Sequence, residues 1–526
     1  MQHLLQYVRD RWFLLFVLVV FIILKYPHLS YPFYWDESWP YATAVHHMYY
    51  HGVSLMPNAI NAEISRGHPL FFHAAAAIWM HIFGTTNFSL HAFALFISIL
   101  VLIAVYEAGL RVFNKRVAVL SLILIATQVI FFVQSSFLLL EMLVALLGFL
   151  SFYYYVCGKY FLTALVLSML FLTKESGLIV GFVIGLDALI ELFNKNNSIK
   201  TRLYKITAVA APVLVIIIYF LVQYKVQGWL IFPFYKDQIV HWWGPYWDAF
   251  RLCLTYIFYD YYGYIFYGFL LLLVVIATVR SKNKKLLAIF IPACIIACMV
   301  YKPLSDKLYS RPVFVLFIIT YLYFIYSYME LKIFSDKRQQ KMFVYITFFL
   351  LCFCSFSSAN FFIHRYLLVA IIPFLFIVSA LADKLMEYSD KRFICPFYAA
   401  VLTAVGVSFL CIHKLDDCNL GAYDGMKVYQ SMINYLEKHN DYNKIISATN
   451  FQHRVHLTDP YTGYLSSNRI FTHVKYEMDT SVNLALFDNI EPDTNRYRSI
   501  KNDEAFHIIY RVQKGIAWGE VYEKNK

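Results

Sequence analysis

Charged residues are scarce in this sequence. Asp, Glu, Lys and Arg make up 15% of its 526 residues, whereas about 25% is usual for a soluble globular protein. Hydrophobic residues reach 60%, and the mean hydropathy is +0.56. A disordered chain needs the opposite balance, and a soluble enzyme of this length needs more polar surface. The composition therefore excludes both classes and indicates a polytopic integral membrane protein.

The sequence also lacks paired cysteines and glycine-rich phosphate loops. Its nine cysteines include no Cys-x-x-Cys pair, and most lie in apolar runs, which is typical of buried thiols. Residues 413–526 contain one cysteine, Cys418, so this region has no internal disulfide. The absence of a glycine-rich phosphate-binding motif means that nothing in the sequence indicates a nucleotide site.

The positive charge is confined to one part of the chain. The net charge is +12, but residues 413–526 hold 14 basic and 15 acidic residues, so the surplus lies in residues 1–412. There it occupies short loops between apolar runs. This pattern is typical of membrane orientation rather than of a nucleic-acid groove, and we expect no nucleic-acid partner.

Apolar runs of the length that a bilayer core requires, about 20 residues for a helix, recur along residues 1–412. Residues 69–83 are apolar but short and contain His73 and His81, so we interpret them as an interfacial or re-entrant helix. Thirteen predicted spans remain: 12–24, 88–106, 117–133, 139–156, 160–173, 177–193, 206–223, 263–279, 286–301, 313–329, 342–356, 363–382 and 393–412.

Thirteen spans place the two termini on opposite sides of the membrane, and the basic residues indicate which side is which. With a cytoplasmic N-terminus, the cytoplasmic loops hold 21 Lys and Arg in 65 residues, and the opposite loops hold 8 in 126. Because Lys and Arg favour the cytoplasmic side, we predict that orientation. Long extracytoplasmic loops then cover 25–87 and 224–262, and the lack of a eukaryotic-type sorting signal favours a bacterial inner membrane.

The C-terminal region has the composition of an ordinary globular domain. An amphipathic helix is predicted near 424–438. The predicted fold is an all-α polytopic membrane domain, residues 1–412, followed by a small extracytoplasmic α/β domain, residues 413–526. Strand-like runs in that domain occur at 444–449, 470–474 and 506–512.

An acidic pair, Asp36-Glu37, follows the first span. Ser38 suits a helix N-cap and Pro40 suits a first helical turn. The two carboxylates would then lie at the positive end of a helix dipole, which favours their ionised form. An ionised carboxylate at the outer membrane surface is what a general base for a hydroxyl acceptor requires. The alternative is a capping cluster within an aromatic belt.

Other ionisable residues gather at the predicted extracytoplasmic ends of spans. Arg66 and His68 precede the interfacial helix and suit a phosphate at headgroup level; the alternative is that Arg66 binds lipid phosphates non-specifically. Ionisable groups at membrane depth are costly and are therefore functional candidates. Asp187 and Glu191 lie toward the cytoplasmic end and are predicted to be ordinary interfacial groups. The outer-end candidates are Glu141, Lys174, Glu175, His364 and Arg365.

Metal dependence stays open at this stage. His47 and His51 are spaced i, i+4 on a predicted helix, which suits zinc, although surface roles are the alternative. Asp36 with Glu37 could hold a divalent ion. In the second long extracytoplasmic loop, Trp243 is one of four tryptophans, whose rings suit the headgroup level or stack on sugar rings.

Four short motifs, taken in order, resemble the GT-C glycosyltransferases, above all the protein mannosyltransferases that use dolichyl-phosphate mannose and the lipid A aminoarabinose transferases. In the second motif one proline of the superfamily's segment is replaced by Leu70. The motifs are Asp36-Glu37, Gly67-His68-Pro69-Leu70, Leu172-Thr173-Lys174-Glu175-Ser176-Gly177, and Arg365-Tyr366-Leu367-Leu368 with Pro373.

The resemblance implies an inverting glycosyltransferase that moves a sugar from a polyprenyl-phosphate donor to a hydroxyl acceptor in an external cavity. The acceptor would be a glycolipid, a glycan or a protein, and the only cofactor in question is a divalent metal. Asp36 would be the base and Glu37 would support it. The candidates to neutralise the lipid phosphate are Arg66, His68, Lys174 and Arg365, and further cavity candidates are Glu141, Glu175, His364 and Trp243.

Two other functions remain open. A flippase or transporter for a lipid-linked glycan would show charged residues near span centres and internal symmetry, and the sequence shows neither. A glycan polymerase or ligase would act on longer chains, and the position of Asp36-Glu37 favours a single-sugar transferase over it.

Overall fold

The computed structural model describes residues 2–194, 198–258, 334, 336–360, 362–388, 406, 414–448, 450–467 and 469–525. The described chain is mostly helical up to residue 388, and its sheet lies after residue 445. The helices of the first part are α1 (Gln2–Lys25), α2 (Thr43–His51), α3 (Ala62–Ser65), α4 (Phe71–Phe83), α5 (Asn87–Ala108), α6 (Lys115–Ala126), α7 (Val129–Gln134), α8 (Glu141–Val156), α9 (Tyr160–Phe171), α10 (Leu178–Leu192), α11 (Ile199–Gln227), α12 (Pro233–Lys236), α13 (Trp243–Phe258), α14 (Lys337–Ser358) and α15 (Leu368–Tyr388).

Nine of the predicted spans coincide with described helices, because long apolar runs favour a helix that satisfies its own backbone groups. The interfacial segment 69–83 corresponds to α4. The predicted spans 263–279, 286–301 and 313–329, and 393–412 apart from Gly406, lie outside the described residues. The matching spans are 12–24 on α1, 88–106 on α5, 117–133 on α6 and α7, 139–156 on α8, 160–173 on α9, 177–193 on α10, 206–223 on α11, 342–356 on α14 and 363–382 on α15.

Among the described residues, five helical segments are long and apolar enough to cross a membrane by length and composition. Helices α4, α8 and α9 are apolar but shorter. The expectation of an apolar helical bundle is therefore confirmed, and the count of thirteen spans stays a prediction. The five segments are Arg11–His28, Asn87–Phe113, Ile199–Gln227, Lys337–Ser358 and His364–Lys384.

One predicted span, 117–133, is broken into two helices. Gln128 has extended backbone angles, and its side chain accepts a hydrogen bond from the Val129 N–H at 3.1 Å. A side chain that satisfies a free N–H group at a helix start competes with a continuous helix. The apolar run therefore forms α6 and α7 instead of one straight crossing.

The C-terminal domain is a five-stranded sheet with helices packed against it. Its strand order is β2-β1-β3-β5-β4, with β1 parallel to β2 and β3, and β5 antiparallel to β3 and β4. Its elements are α16 (Gly421–Lys438), β1 (Ile446–Ala448), α17 (Phe451–Thr458), β2 (Val474–Lys475), β3 (Leu484–Asp488), α18 (Thr494–Lys501), β4 (Phe506–Lys514) and β5 (Ala517–Lys524).

Helix α16 lies close against the sheet. It buries Val428, Met432 and Leu436, which recur at four-residue intervals on one helix face. A β-carbon added at Gly519 of β5 would lie 2.2 Å from Met432 Sδ, so this close approach requires glycine. Strand β3 was not predicted, because all five of its residues are buried and a strand buried on both faces shows no alternation.

The C-terminal domain contacts the segment that carries Asp36. The Tyr34 hydroxyl donates to the Leu415 carbonyl at 2.6 Å, and the Phe33 N–H donates to the Thr462 carbonyl at 2.9 Å. These bonds fix the extended stretch just before Asp36. The position of that carboxylate is therefore determined jointly by the helical part and by the C-terminal domain.

Candidate active site

Asp36 lies in a single 3-10 turn, Trp35–Glu37, that follows extended backbone at Tyr34. Its side chain is 31% exposed, and its Oδ2 accepts a hydrogen bond from Nη2 of Arg365. The carboxylate is thus reachable from outside and is paired with a fixed cation. A carboxylate that can be reached from outside can accept a proton from a bound hydroxyl, which is what a general base must do.

Arg365 lies in a 3-10 turn immediately before α15 and is almost fully buried. In addition to Asp36, its Nη1 donates to Asp417 Oδ2 at 2.9 Å, and its Nε lies 3.6 Å from Glu141 Oε1. Three carboxylates therefore surround one guanidinium. A buried arginine is stable only when its charge is matched in this way.

Lys174 extends this group toward a cavity. Its Nζ donates to Glu141 Oε1 at 3.0 Å and lies 3.6 Å from the centre of the Tyr366 ring. We call the connected set of Asp36, Glu141, Lys174, Arg365 and Asp417 the arginine cluster. Three carboxylates and two cations give this cluster a formal charge of −1.

The cavity has a volume of about 1140 Å³ and combines a polar end with an apolar wall. Two apolar wall residues, Phe182 and Leu351, are 54% and 46% exposed, so the cavity borders the outer apolar surface of α10 and α14. The polar lining residues that contact one another are His68, Glu141, Lys174, Glu175, Tyr235 and Tyr366, and apolar lining residues include Phe182, Phe220, Ile231, Phe348, Leu351 and Phe356.

His68 and Glu175 form a second polar pair in the cavity. His68 Nδ1 lies 2.8 Å from Glu175 Oε2, and the imidazole stacks on Tyr235 with ring centres 5.6 Å apart. Burial alone would raise the pKa of Glu175, but the adjacent His68 holds that pKa below its usual value. The Glu175 carboxylate in turn fixes the orientation of the imidazole next to Lys174.

Arg66 lies beside Asp36's turn but outside the arginine cluster. Its backbone is left-handed, with φ of 54°, and its guanidinium lies 4.9 Å from the Trp39 ring centre and 5.6 Å from that of Phe234. Within the described part of the chain it makes no ion pair. Its hydrogen-bond donors are therefore available to an anion.

Glu37 points away from the arginine cluster. It is fully buried, and its Oε1 accepts from the Leu138 N–H at 2.6 Å and lies 2.7 Å from His91 Nε2. Its Oε2 accepts from the Tyr34 N–H at 3.1 Å. Adjacent residues of a 3-10 turn are about 120° apart around the axis, so Asp36 and Glu37 cannot face the same way. In this structure Glu37 anchors the turn.

The remaining sequence candidates lie outside the cavity lining. Trp243 begins α13 and is 80% exposed. His364 packs edge-on against Tyr256, with ring centres 4.0 Å apart. His47 and His51 stack on each other 4.2 Å apart. The structure therefore brings Asp36, Glu141, Lys174 and Arg365 together. His68 and Glu175 line the same cavity as Glu141 and Lys174. Trp243, His364, His47 and His51 do not belong to this group.

Among the described residues, the one group with metal-ligand spacing is Asp416, Asp417 and Cys418. It contains none of the metal candidates from the sequence, namely Asp36, Glu37, His47 and His51. Asp417 accepts from Arg365 and from the Cys418 thiol, and Asp416 accepts from the Cys418 N–H. Because these oxygens are already engaged by protein donors, the group has a sufficient structural explanation.

Sequence reasoning missed Asp417 as a member of the site. Burial raises the pKa of Asp417 above its usual value, although Arg365 acts in the opposite direction. The available signal was an acidic pair, Asp416-Asp417, directly after the last predicted span. That position mirrors the position of Asp36-Glu37 after the first span.

Comparison with solved structures finds two proteins to which this chain is similar at low sequence identity. ArnT from Cupriavidus metallidurans bound to undecaprenyl phosphate is 12% identical, over 97% of this chain and 98% of that chain, with a TM-score of 0.49. The Archaeoglobus fulgidus oligosaccharyltransferase in the apo form is 13% identical, over 91% of this chain and 70% of that chain, with a TM-score of 0.39.

No family model matches the chain, and no curated protein matches it.

Proposed function

We propose that this protein is an inverting glycosyltransferase that moves a sugar from a polyprenyl-phosphate donor to a hydroxyl acceptor at the outer face of a bacterial inner membrane. One observation carries the proposal. A partly exposed carboxylate, Asp36, is connected through Arg365 and Glu141 to Lys174, at the polar end of a largely apolar cavity.

The cavity suits a lipid phosphate. Its volume of about 1140 Å³ exceeds the usual small-molecule range of roughly 300–1,000 Å³. Its wall joins the exposed apolar surface at Phe182 and Leu351, so a prenyl chain could extend from the cavity into the bilayer. Burial of such a chain contributes about 0.8 kcal/mol for each CH₂ group.

The phosphate would lie at the polar end. Lys174 has three N–H donors, and one of them is used by Glu141, which leaves donors for the phosphate. His68, Tyr235 and Tyr366 line the same cavity. As the bond to the sugar breaks, negative charge develops on the phosphate, and fixed donors in a site with little water stabilise it.

Asp36 would act as the base. Its carboxylate takes the proton of the acceptor hydroxyl, the hydroxyl oxygen attacks the anomeric carbon, and the carbon–oxygen bond to the lipid phosphate breaks. Attack opposite the leaving phosphate inverts the anomeric centre. General-base assistance of this kind contributes about 10²–10⁴-fold in rate.

Arg365 would position the base rather than bind the phosphate. The sequence suggested a phosphate ligand, but its guanidinium is buried against Asp36, Glu141 and Asp417. Its role in this proposal is to hold the Asp36 carboxylate in a fixed orientation. The orientation of the whole site toward the outer face follows from the distribution of basic residues among the loops.

Mass spectrometry of membrane lipids and surface glycans tests the proposal. Cells that produce the wild-type protein should accumulate a glycosylated product that is missing from cells without the gene. Asp36→Asn should abolish that product while the protein remains in the membrane. Asp187→Asn, which changes a carboxylate that does not line the cavity, is the matched control and should retain it. Full product formation by Asp36→Asn would contradict the proposal.

A further inference from the structure

Glu37 and His91 form a buried pair beside the turn that carries Asp36. His91 lies near the start of α5, is 1% exposed, and packs edge-on against Phe33 with ring centres 5.0 Å apart. Its Nε2 lies 2.7 Å from Glu37 Oε1, and its Nδ1 lies 3.0 Å from the Leu29 carbonyl oxygen. Neither side chain lines the cavity, and neither takes part in the transfer steps proposed above.

Both ring nitrogens of His91 face oxygen atoms that can only accept hydrogen bonds. A backbone carbonyl has no proton to donate, and an ionised carboxylate has none either. A neutral imidazole has one N–H group and one lone pair, so it would satisfy one of these oxygens and repel the other. The separation of 2.7 Å between Nε2 and Glu37 Oε1 therefore requires one more proton on the pair than a neutral imidazole and a carboxylate hold together.

The hydrogen bonds of Glu37 indicate that this additional proton lies on the imidazole. Glu37 Oε1 accepts from the Leu138 N–H at 2.6 Å, and Oε2 accepts from the Tyr34 N–H at 3.1 Å. Hydrogen bonds from N–H groups favour the ionised form of a carboxylate. An imidazolium that faces a carboxylate also leaves the pair without net charge, and buried charges are stable only when they are matched in this way.

Lys25 is a second buried cation whose charge acts on Glu37. Its Nζ donates to the Phe132 carbonyl at 2.8 Å and to the Tyr423 hydroxyl at 2.7 Å. Among the described residues, the ion-pair partner of Glu37 is His91. The imidazolium is therefore the cation in direct contact with this carboxylate.

Glu37 connects the two carboxylates that lie on either side of Arg365. It follows Asp36 directly in the chain, and it accepts from the N–H of Leu138, which comes three residues before Glu141. Arg365 donates to Asp36 with Nη2, and its Nε lies 3.6 Å from Glu141 Oε1. A shift of Glu37 would therefore change the spacing of Asp36 and Glu141 around the guanidinium.

We propose that His91 is a positioning residue of the candidate site. As an imidazolium it holds the Glu37 carboxylate in place, and Glu37 in turn fixes Asp36 for proton transfer. This inference rests on the proposed function and adds to it a buried cation on which the base depends. Displacement of a reacting group by about 1 Å can cost about 100-fold in rate, so loss of this contact should lower turnover far more than binding of the donor lipid.

Solid-state ¹⁵N NMR of the full-length protein in lipid bilayers tests the protonation of His91. The protein carries ¹⁵N in its histidine rings, and the spectrum of His91→Gln is subtracted from that of wild type at neutral pH. The difference should contain two protonated ring nitrogens. One protonated and one unprotonated nitrogen would show a neutral imidazole and would overturn the inference.

Two substitutions separate hydrogen-bond donation from ring packing. His91→Phe keeps a ring but has no donor, whereas His91→Gln keeps an N–H group for Glu37. His91→Phe should lower product formation about 100-fold and change binding of undecaprenyl phosphate less than about two-fold. His91→Gln should form product within about ten-fold of wild type, because the carboxylate keeps a donor. Full product formation by His91→Phe, or equal losses in the two variants, would contradict the positioning role.

The matched control is His456→Phe. It replaces another fully buried imidazole, whose ring nitrogens have no hydrogen-bond partner within the described part of the chain, and it should leave product formation unchanged. If His91→Phe does not accumulate in the membrane, the double variant Glu37→Gln/His91→Phe takes its place, since it leaves no buried carboxylate unpaired. The single carbonyl oxygen of the new glutamine cannot replace both oxygens that accept from Leu138 and Tyr34, so the same loss is expected, and full product would overturn the inference.

These measurements also separate the inference from the proposed function, because the ¹⁵N spectrum does not depend on sugar transfer. Two protonated nitrogens at His91, in a wild-type protein that yields no glycosylated product in cells, would contradict the proposed function alone. A neutral imidazole at His91, in a wild-type protein that does form the product, would contradict the positioning role alone.

Discussion

Two groups of charged side chains lie at opposite ends of α8 and α10, and they differ in charge balance and in accessibility. The arginine cluster includes Glu141 at the start of α8. The other group, which we call the lysine cluster, consists of Asp187, Glu191, Lys205 and Lys341. Tyr155, which donates to Asp187 at 2.8 Å, is near the end of α8, about 21 Å along the helix from Glu141 at 1.5 Å per residue.

The lysine cluster is balanced and closed. Lys205 lies 3.2 Å from Glu191 and 3.7 Å from Asp187, and Lys341 lies 3.2–3.3 Å from both. Two carboxylates of α10 are matched by one lysine of α11 and one of α14, and none of the four residues lines the cavity. This cluster joins three helices through ion pairs, which is a structural role that the prediction of ordinary interfacial groups at Asp187 and Glu191 did not include.

The arginine cluster is neither balanced nor closed. It has one carboxylate more than it has cations, its Asp36 is 31% exposed, and its Lys174 and Glu141 line the cavity. Buried charges are costly unless paired, so an excess of charge with access from two sides is not explained by helix packing alone. The arginine cluster thus differs from the lysine cluster in its charge balance and its accessibility rather than in its burial.

Replacing Arg365, the central cation of the arginine cluster, should have the largest effect on stability and activity. Arg365→Ala leaves three carboxylates without their shared partner and should cost about 3–5 kcal/mol of stability, together with all transfer activity. Lys341→Ala leaves Lys205 to pair with both carboxylates, and Lys341 is 34% exposed, so it should cost only about 0–1 kcal/mol. Thermal unfolding of both variants in detergent checks this, and equal losses of melting temperature would contradict it.

Replacing one lysine from each cluster should have the next largest effect. Lys174→Met should weaken binding of undecaprenyl phosphate about 10–100-fold, since a hydrogen bond to a charged group contributes about 1.5–3 kcal/mol. Lys205→Met changes a lysine that is equally buried but remote from the cavity and should change the affinity less than two-fold. Native mass spectrometry with titrated lipid measures both. A similar loss in the two variants would remove the distinction between the clusters.

The fold was predictable where a single physical requirement dominates. Apolar runs of bilayer length gave helices such as α5 and α11, because a buried backbone must satisfy its own hydrogen bonds. The break between α6 and α7 was not predictable, because it depends on one side-chain bond at Gln128. Strand β3 was not predictable either. All five of its residues are buried, so its sequence reads as a short apolar run that could be a strand or part of a helix.

The candidate site was predictable only in part. Asp36 and Lys174 follow from the rule that charges at one membrane surface are functional candidates. Asp417 lies several hundred residues later in the chain, and it comes close to Asp36, with Arg365 between them, because the C-terminal domain contacts the segment at Tyr34. Asp36 and Glu37 point in different directions because of the geometry of their 3-10 turn, which cannot be deduced from the types of residue in it.

Glu491, in the C-terminal domain, should make a smaller contribution to stability that depends on pH. Its pKa is raised from 4.5 to about 7 by burial and by Asp488 and Asp36, and Asp488 also faces His453 at 3.3 Å. Between these values the folded protein holds a proton that the unfolded chain has lost, so this contribution to stability falls as pH rises.

Glu491→Gln should therefore become more stable relative to wild type as the pH rises from 4.5 to 8. After allowance for partial exposure, we expect a change of about 1–2 kcal/mol across that range. Melting temperatures at several pH values measure it, with Glu504→Gln as the control that shows no trend. A difference that stays constant with pH would show that burial and the neighbouring carboxylates do not raise the pKa of Glu491.

The smallest effect is expected at Trp243. This residue is 80% exposed and lies outside the cavity lining, so Trp243→Ala should alter binding of undecaprenyl phosphate less than two-fold. Tyr235→Ala, which removes an aromatic ring from the polar end of the cavity, should weaken that binding several-fold. Titrations of the two variants under identical conditions would contradict the assignment of the donor cavity if Trp243→Ala were the weaker binder.

A cryo-electron microscopy structure of the protein in nanodiscs with undecaprenyl phosphate would show whether the cavity beside the arginine cluster binds a lipid phosphate. We expect phosphate density within hydrogen-bonding distance of Lys174 Nζ and a prenyl chain that passes Phe182 and Leu351 toward the bilayer. Phosphate bound at the lysine cluster, or a lipid bound elsewhere while the cavity beside Arg365 stays empty, would contradict it.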